Sequence, residues 1–488
     1  MQTSLLTVYP AEAKRLETTY RVVRRSVDAR QRDIKVNLTL LADDSGHFVP
    51  REAPIPLYEQ PHFVDVSSKP DAPKVIIVGA GPAGFFAALT LLEHGIKPII
   101  YERGKPVSER KRDIALLNRN EHFNPESNYC FGEGGAGTFS DGKLFSRSKK
   151  RGNMQRVMEL FHHFGAPDTV LYEAHAHIGS DKLPRIIQNI RECILAHGGE
   201  IRFETCVTKF EDFQTPVILA IGHSAHDTYR MLDNTGVTLE VKGFAMGVRS
   251  EHPQELINRL FYHNAPREEI ELLGNASYSL VTQVNGHGVY SFCMCPGGHI
   301  VPAGSDANGC VVNGMSASHR NSPFANSGMV VELHLGGHAM DALDYQEAYE
   351  HLAKKHGGEG AQAPAQRMKD FVEGRYSESL PDCSYLPGIV SSRMDEWLTE
   401  PIRSCLKQGF KDFDRKHKGF LTNDAVIVGV ESRSSSPIRI VRDPETLQSI
   451  SHPWLYPCGE GAGYAGGITS SALDGINAAL KIAECYGK

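Results

Sequence analysis

The chain has 488 residues, of which 41% are hydrophobic and 23% charged, and its mean hydropathy is -0.31. That length exceeds one ordinary domain, and the composition excludes a disordered, collagenous or membrane-embedded chain. Lys and Arg number 52 against 58 Asp and Glu, a net charge of -6, so nothing in the global balance calls for nucleic acid or an anionic membrane surface.

Residues 1–70 read as a small α/β domain. Residues 12–27 predict a surface helix rich in Arg and Lys, and 33–41 (DIKVNLTLL) alternate like a strand. Eight Lys/Arg and four Asp/Glu in residues 1–40 make this segment locally basic; it reads as a solvated face, with a basic docking surface as the alternative. A Pro/Ser-rich linker (66–73) follows. Residues 74–78 are a continuous apolar run, the mark of a parallel strand buried on both faces. A helix over 84–94 and a strand over 98–101 complete a βαβ unit. The uncharged stretch 75–92 is long enough to imitate a membrane span, but its glycines and Pro82 fit a strand–turn–helix.

Further along, 154–164 and 183–197 have helical periodicity, 200–210 alternate as strands, and 217–221 form a buried strand. From about 240 to 425, short alternating strands predict a mixed or antiparallel sheet, with helices near 341–355 and 393–407. Residues 425–430 and 454–457 read as buried strands and 467–485 as the last helix. The ten cysteines include no CxxC pair and no zinc spacing, and no secretory signal pattern precedes them, which points to reduced thiols and a cytoplasmic protein.

Residues 75–84 read VIIVGAGPAG. Gly79, Gly81 and Gly84 satisfy G-x-G-x-x-G between a strand and a helix. The first allows the tight turn, the second lets backbone approach a pyrophosphate, and the third lets helix and strand pack closely. The free N–H groups of the helix start favour phosphate. Glu102 ends the next strand 18 residues after Gly84, where a carboxylate accepts hydrogen bonds from ribose hydroxyls. These features together specify a dinucleotide site.

With Pro82 and Ala83 inside GAGPAG, the strand end Tyr101-Glu102-Arg103, the strand 217–222 (VILAIG, closing on Gly222) and residues 458–476 (CGEGAGYAGGITSSALDGI), the chain resembles the glutathione-reductase-type FAD-binding family. The resemblance implies bound FAD. Val207 falls where that family holds adenine through backbone groups, and Glu460 stands where the family has Asp. Seven of residues 459–467 are Gly or Ala, so backbone can lie against a flat ring, and a helix starting near Ile468 would aim N–H groups at a reduced, anionic flavin. Gly459, Gly466 and Gly467 are the contacts expected there. Arg103, and Arg110 in the charged 105–130 stretch, are further cofactor-binding candidates.

The segments NYCFGEGGAGTFSDGKL (128–144), SFCMCPGGHIVPA (291–303), VVNGMSASHR (311–320), ESRSSSPIR (431–439) and YPCGEGAGYAGGITSSALDG (456–475) resemble a narrower group of uncharacterised bacterial FAD-dependent dehydrogenases. That resemblance implies a fold and FAD, and no substrate.

Three segments are candidates to surround the flavin. In 132–143, Gly135, Ser140 and Asp141 would contact the cofactor and Lys143 would hold its developing negative charge; the alternative is a solvated lysine. Arg433 would bind an anionic substrate or the cofactor phosphates, or simply pair with Glu431 at the surface. Cys293 and Cys295, two apart on a strand, point the same way; they read as structural thiols, a substrate-side catalytic thiol or a disulfide-reductase pair, or part of a metal site with too few ligands. No second G-x-G-x-x-G follows a strand in 100–450, so NAD(P)H would act only as a transient reductant without its own domain.

The expected architecture is therefore α/β: a small N-terminal domain (1–70) and a discontinuous Rossmann-like FAD-binding domain (71–240 and 426–488) with a mixed α+β substrate domain (241–425) inserted. The expected function is an FAD-dependent oxidoreductase acting on a small-molecule substrate, with a redox protein partner left open. A binding protein with a structural or sensing flavin is the rival reading.

Overall fold

The computed structural model describes residues 2–53, 60–145, 152–210 and 213–486. Its organising element is a five-stranded, wholly parallel sheet in the order Leu455–Pro457, Val217–Leu219, Lys74–Val78, Lys97–Tyr101, Glu200–Arg202. Val75, Ile77 and Val217 are fully buried, as strands covered on both faces require. Helices Pro82–Glu93 and Ile468–Tyr486, from opposite ends of the sequence, pack closely against each other and share one core with Leu160, Phe161 and Ile190.

A second sheet has seven strands, ordered Val281–Val284, His287–Cys295, Phe324–Leu333, Phe244–Pro253, Val426–Glu431, Ala363–Arg367, Ile389–Ser391. All neighbours run antiparallel except the last pair. Its core includes Met246, Val331, Phe371 and Phe413. Val426–Glu431 pairs with Phe244–Pro253, so this sheet continues past residue 425, where the sequence reading ended the inserted segment. A short hydrophobic run carries no mark of which sheet it joins.

The N-terminal segment forms a three-stranded antiparallel sheet, Gln2–Val8, Lys35–Ala42 and Val22–Asp28, against helix Pro10–Thr19. The helix expected over 12–27 stops at Thr19. Tyr20 turns extended, at φ -123° and ψ 160°, and the β-branched Val22, Val23 and Val27 enter a strand instead. The strand expected over 200–210 is only Glu200–Arg202. The helix expected over 393–407 is divided into Met394–Trp397 and Ile402–Lys416, with Pro401 between them unable to donate a helical N–H. No helix among the described residues is long and apolar enough to cross a membrane.

One group makes the second sheet sensitive to acid. His252 is 1% exposed, its Nε2 lies 2.9 Å from the Phe420 carbonyl, and burial pushes its pKa down to about 4. The unfolded chain protonates this ring near pH 6.5, so its contribution is complete above that pH and is lost as pH falls toward 4. Urea unfolding at pH 7 and pH 4.5 should show a stability loss on the order of 2–3 kcal/mol attributable to this ring. In His252→Gln the acid loss should be smaller by that amount; an unchanged difference would remove His252 from the account.

Candidate functional site

Strand Lys74–Val78 ends at Gly79, whose φ of 106° suits glycine. A Cβ there would lie 2.3 Å from the Ala220 carbonyl oxygen, and one on Gly84 would lie 1.9 Å from the Gly79 carbonyl oxygen. These two glycines let strand, turn and helix close on one another. Gly81 differs: a Cβ there would meet nothing nearer than the Gly135 Cα at 3.9 Å. It faces open space at the start of helix Pro82–Glu93, where the first-turn N–H groups have no helical partner.

Glu102 is 5% exposed. One carboxylate oxygen accepts from the Ala80 N–H at 2.9 Å; the other accepts from Gly104 at 2.9 Å and Gly132 at 3.0 Å. The strand end, the glycine turn and the 132–143 loop are thereby fixed to a single side chain. Arg103 beside it forks to Glu126 and Asp227 at 2.7–3.0 Å and lies over the Phe131 ring. Arg110 is fully buried. Its guanidinium donates to the carbonyls of Asn128, Tyr129, Gly132 and Glu133, and burial lowers its pKa to about 10. It shapes the loop from behind rather than reaching the cavity, which corrects the expectation of a cofactor contact.

The loop closes on a charged cluster. Ser140 donates to the Gly137 carbonyl at 2.7 Å and accepts from the Gly142 N–H at 3.1 Å. Asp141 is buried between Lys143 at 2.9 Å and Arg320 at 2.7 Å. Desolvation works against its charge, but these two cations hold its carboxyl well below the usual range. Lys143 Nζ also lies 3.6 Å from Cys293 Sγ and 3.5 Å from Cys295 Sγ, so its ammonium is paired although the side chain is partly exposed. Burial would lower this ammonium, yet the sulfurs and Asp141 keep it raised.

At the C-terminal motif, the Gly459 N–H donates to Asp474 Oδ2 at 2.7 Å. Arg442 clamps the same carboxylate at 2.6 and 3.0 Å. This sets the turn that precedes helix Ile468–Tyr486. His223 Nδ1 lies 3.4 Å from Glu460.

These segments enclose one cavity of about 400 Å³. Of the residues predicted from sequence, Gly79, Gly81, Pro82, Ala83, Glu102, Arg103, Gly135, Ser140, Asp141, Lys143 and Val207 line it. So do Gly222, Cys293, Arg433, Gly459, Glu460, Gly466, Gly467 and Ile468. Gly84, Arg110 and Cys295 lie behind the lining. Val207 sits in an extended segment after Glu200–Arg202, not in a strand. Arg433 does not pair with Glu431 at the surface. It is buried and clamps Glu350 at 2.8 and 2.9 Å, while Glu431 pairs with the buried Arg249 at 3.0 Å. Burial raises Glu431 to about 7 despite that arginine. Arg249, Arg320, Glu350, Arg442 and Asp474 escaped the sequence reading. Their partners lie 32 to 182 positions away, and no short-range pattern encodes such pairs.

A long cofactor with a pyrophosphate and a planar ring fits this cavity. Side chains are absent where it would be gripped: Gly466 and Gly467 present open space, Gly81 and Gly135 face each other, and two helix starts border the wall.

Residues 72–119 match an FAD binding domain, residues 243–434 match the C-terminal domain of FAD-dependent proteins, and residues 11–43 match a domain of unknown function. The chain thus carries an FAD-binding domain and a C-terminal domain of the kind found in FAD-dependent proteins. In particular, it is 40% identical to an uncharacterised protein of Clostridium beijerinckii over 95% of its own length and 92% of that protein's, and it is a member of that protein's family. Among solved structures, a flavoprotein/dehydrogenase of Cytophaga hutchinsonii has a TM-score of 0.36 at 13% identity, covering 86% of this chain and 80% of that one. The flavin-dependent halogenase CmlS also scores 0.36, at 14% identity, covering 85% and 58%. CtdE in complex with FAD scores 0.31 at 13% identity, covering 85% and 84%.

The glycines separate binding from folding. Gly81→Val should give a folded chain that purifies colourless, because the new side chain enters the cavity and its Cβ meets nothing closer than an ordinary contact with the Gly135 Cα at 3.9 Å. Gly84→Val should lose about 3 kcal/mol or more of stability through overpacking. The ratio of 450 to 280 nm absorbance, with a circular-dichroism melt, distinguishes the two; a yellow Gly81→Val protein would contradict this geometry.

Proposed function

We propose that this protein is an FAD-dependent oxidoreductase passing a hydride between the flavin and a small-molecule substrate. On this reading the FAD-binding unit is Rossmann-like and discontinuous, and the antiparallel sheet belongs to an inserted substrate domain. The observation that carries the reading is the single cavity. It joins the glycine turn and helix start at 79–84, the glycine-rich 459–468 segment, and Lys143 on the wall shared with the antiparallel sheet.

Bound FAD supplies two-electron redox chemistry, which no protein side chain offers alone. The chain's own residues bind, orient and tune. N–H groups at the start of helix Pro82–Glu93 would hold the pyrophosphate. Glu102 keeps one lone pair on Oε2 for a ribose hydroxyl, the remaining capacity being taken by three backbone donors. The start of helix Ile468–Tyr486 and the Lys143 ammonium favour negative charge on the ring. Arg433 is already satisfied by Glu350 and by Ser305 at 2.7 Å, so it positions the cavity wall and does not carry an anionic substrate. NADH or NADPH is the proposed transient reductant.

Anaerobic stopped-flow mixing of the purified holoprotein with NADH, NADPH and a panel of reduced small molecules tests this. At least one should bleach the 450 nm band roughly a hundredfold faster than it reduces free FAD, about 2.7 kcal/mol of transition-state stabilisation. Reduction by every donor at the free-flavin rate would favour a structural or sensing flavin.

A further inference from the structure

The CxC segment departs from regular strand geometry. The strand ladder runs Phe292↔Gly328 and then Cys295↔Asn326, so three steps on one strand oppose two on the other. This β-bulge re-aims side chains locally. Cys293 sits in it at φ +47°, a left-handed conformation that strains a residue with a side chain. The result is that both sulfurs reach one ammonium, Lys143 Nζ, at 3.6 and 3.5 Å. Arg249 adds a second cation, with Nη2 at 3.5 Å from Cys295 Sγ and 2.8 Å from the Cys293 carbonyl. Cys293 lines the cavity, whereas Cys295 is fully buried behind it. One sulfur is placed to meet a substrate and the other to meet only its neighbour.

The charges point the same way. Lys143, Arg249 and Arg320 outnumber the two carboxylates they face, Asp141 and Glu431, so the surroundings of the two sulfurs favour negative charge. The hydrogen bond from Cys295 and then the two cations hold Cys293 well below the ordinary thiol range, and the same thiol–thiol bond, with burial, holds Cys295 above it. The geometry makes Cys293, on the cavity side and beside the Lys143 ammonium, the better placed nucleophile of the two.

We infer that Cys293 and Cys295 are a dithiol/disulfide couple that reacts with a small disulfide entering the cavity. This names a substrate class for the flavin site and rests on that reading only for the electrons that sustain turnover. The single exchange balances by itself. Cys293 thiolate attacks one sulfur of R–S–S–R; the Cys293–S–S–R bond forms, the R–S–S–R bond breaks, and one RS⁻ leaves. Cys295 then attacks Cys293 Sγ, its proton passing to the departed thiolate. The Cys293–Cys295 disulfide closes as the second RS⁻ leaves, and two electrons have moved from the protein to the substrate. Lys143 and Arg249 are positioning residues that keep the nucleophile ionised.

The test equilibrates the holoprotein, and separately the apoprotein, in glutathione/glutathione disulfide mixtures, then quenches with a maleimide and maps modified peptides by mass spectrometry. The wild type should convert to a Cys293–Cys295 disulfide in both forms. Cys295→Ser should stop as a glutathione mixed disulfide on Cys293, and Cys293→Ser should form no adduct on Cys295. Lys143→Met should slow iodoacetamide capture of Cys293 about tenfold at pH 6.5 and much less at pH 9.5, a split that a merely structural lysine would not produce. Two reduced thiols throughout, or alkylation only in the ordinary thiol range, would overturn the inference. Failure of flavin bleaching with normal disulfide formation would instead count against the proposed function alone.

Discussion

A buried carboxylate must be met by donors or it destabilises the fold, and Glu102 meets this demand in a way that defines the cavity. Its three donors belong to the residue inside the glycine turn, the residue three beyond the strand end, and the first glycine of the 132–143 loop. Satisfying one side chain therefore sets the spacing of three segments with no common secondary structure. Arg110 completes the arrangement from the other side by gathering four carbonyls of the same loop. Removing either leaves several buried polar groups unpaired at once, which is the costly direction of the hydrogen-bond asymmetry.

The opposite wall is held by charge pairs rather than a single anchor. Arg249–Glu431 and Arg433–Glu350 are almost completely buried. Such pairs add little net stability over apolar replacements of the same shape. What they contribute here is position. Arg249 bonds to Asn313, Asn326, Glu431 and the CxC segment, and Arg433 ties helix Ala339–His356 to the cavity lining. The antiparallel sheet thus presents a fixed polar wall to a cavity whose floor is glycine and backbone.

The readable parts of the sequence were those with local signatures. The βαβ unit stood out because a buried parallel strand, a glycine turn and an apolar helix follow one another within 28 residues, from Lys74 to Tyr101. The C-terminal motif stood out for its glycine and alanine content. Long-range choices were not readable. Val426–Glu431 is apolar enough for either sheet, and only its pairing with Phe244–Pro253 decides. Glu431 and Arg433 stand two apart, yet each takes a different distant partner. Lys143 reads as a flavin contact at the end of a glycine-rich loop, but its two sulfur neighbours, about 150 positions away, were not readable. The helix read over 12–27 failed because strand pairing overrode a weak helical pattern.

We propose that the cavity lined at its two ends by Val207 and by the Ile468 helix start holds a whole FAD. Acid release of the cofactor from protein reconstituted with a mixture of FAD and FMN, quantified by chromatography against protein concentration, tests it most directly. The account predicts one FAD per chain and essentially no FMN, because the pyrophosphate and ribose contacts supply much of the grip. Equal retention of FMN, or no flavin retained from either, would contradict it.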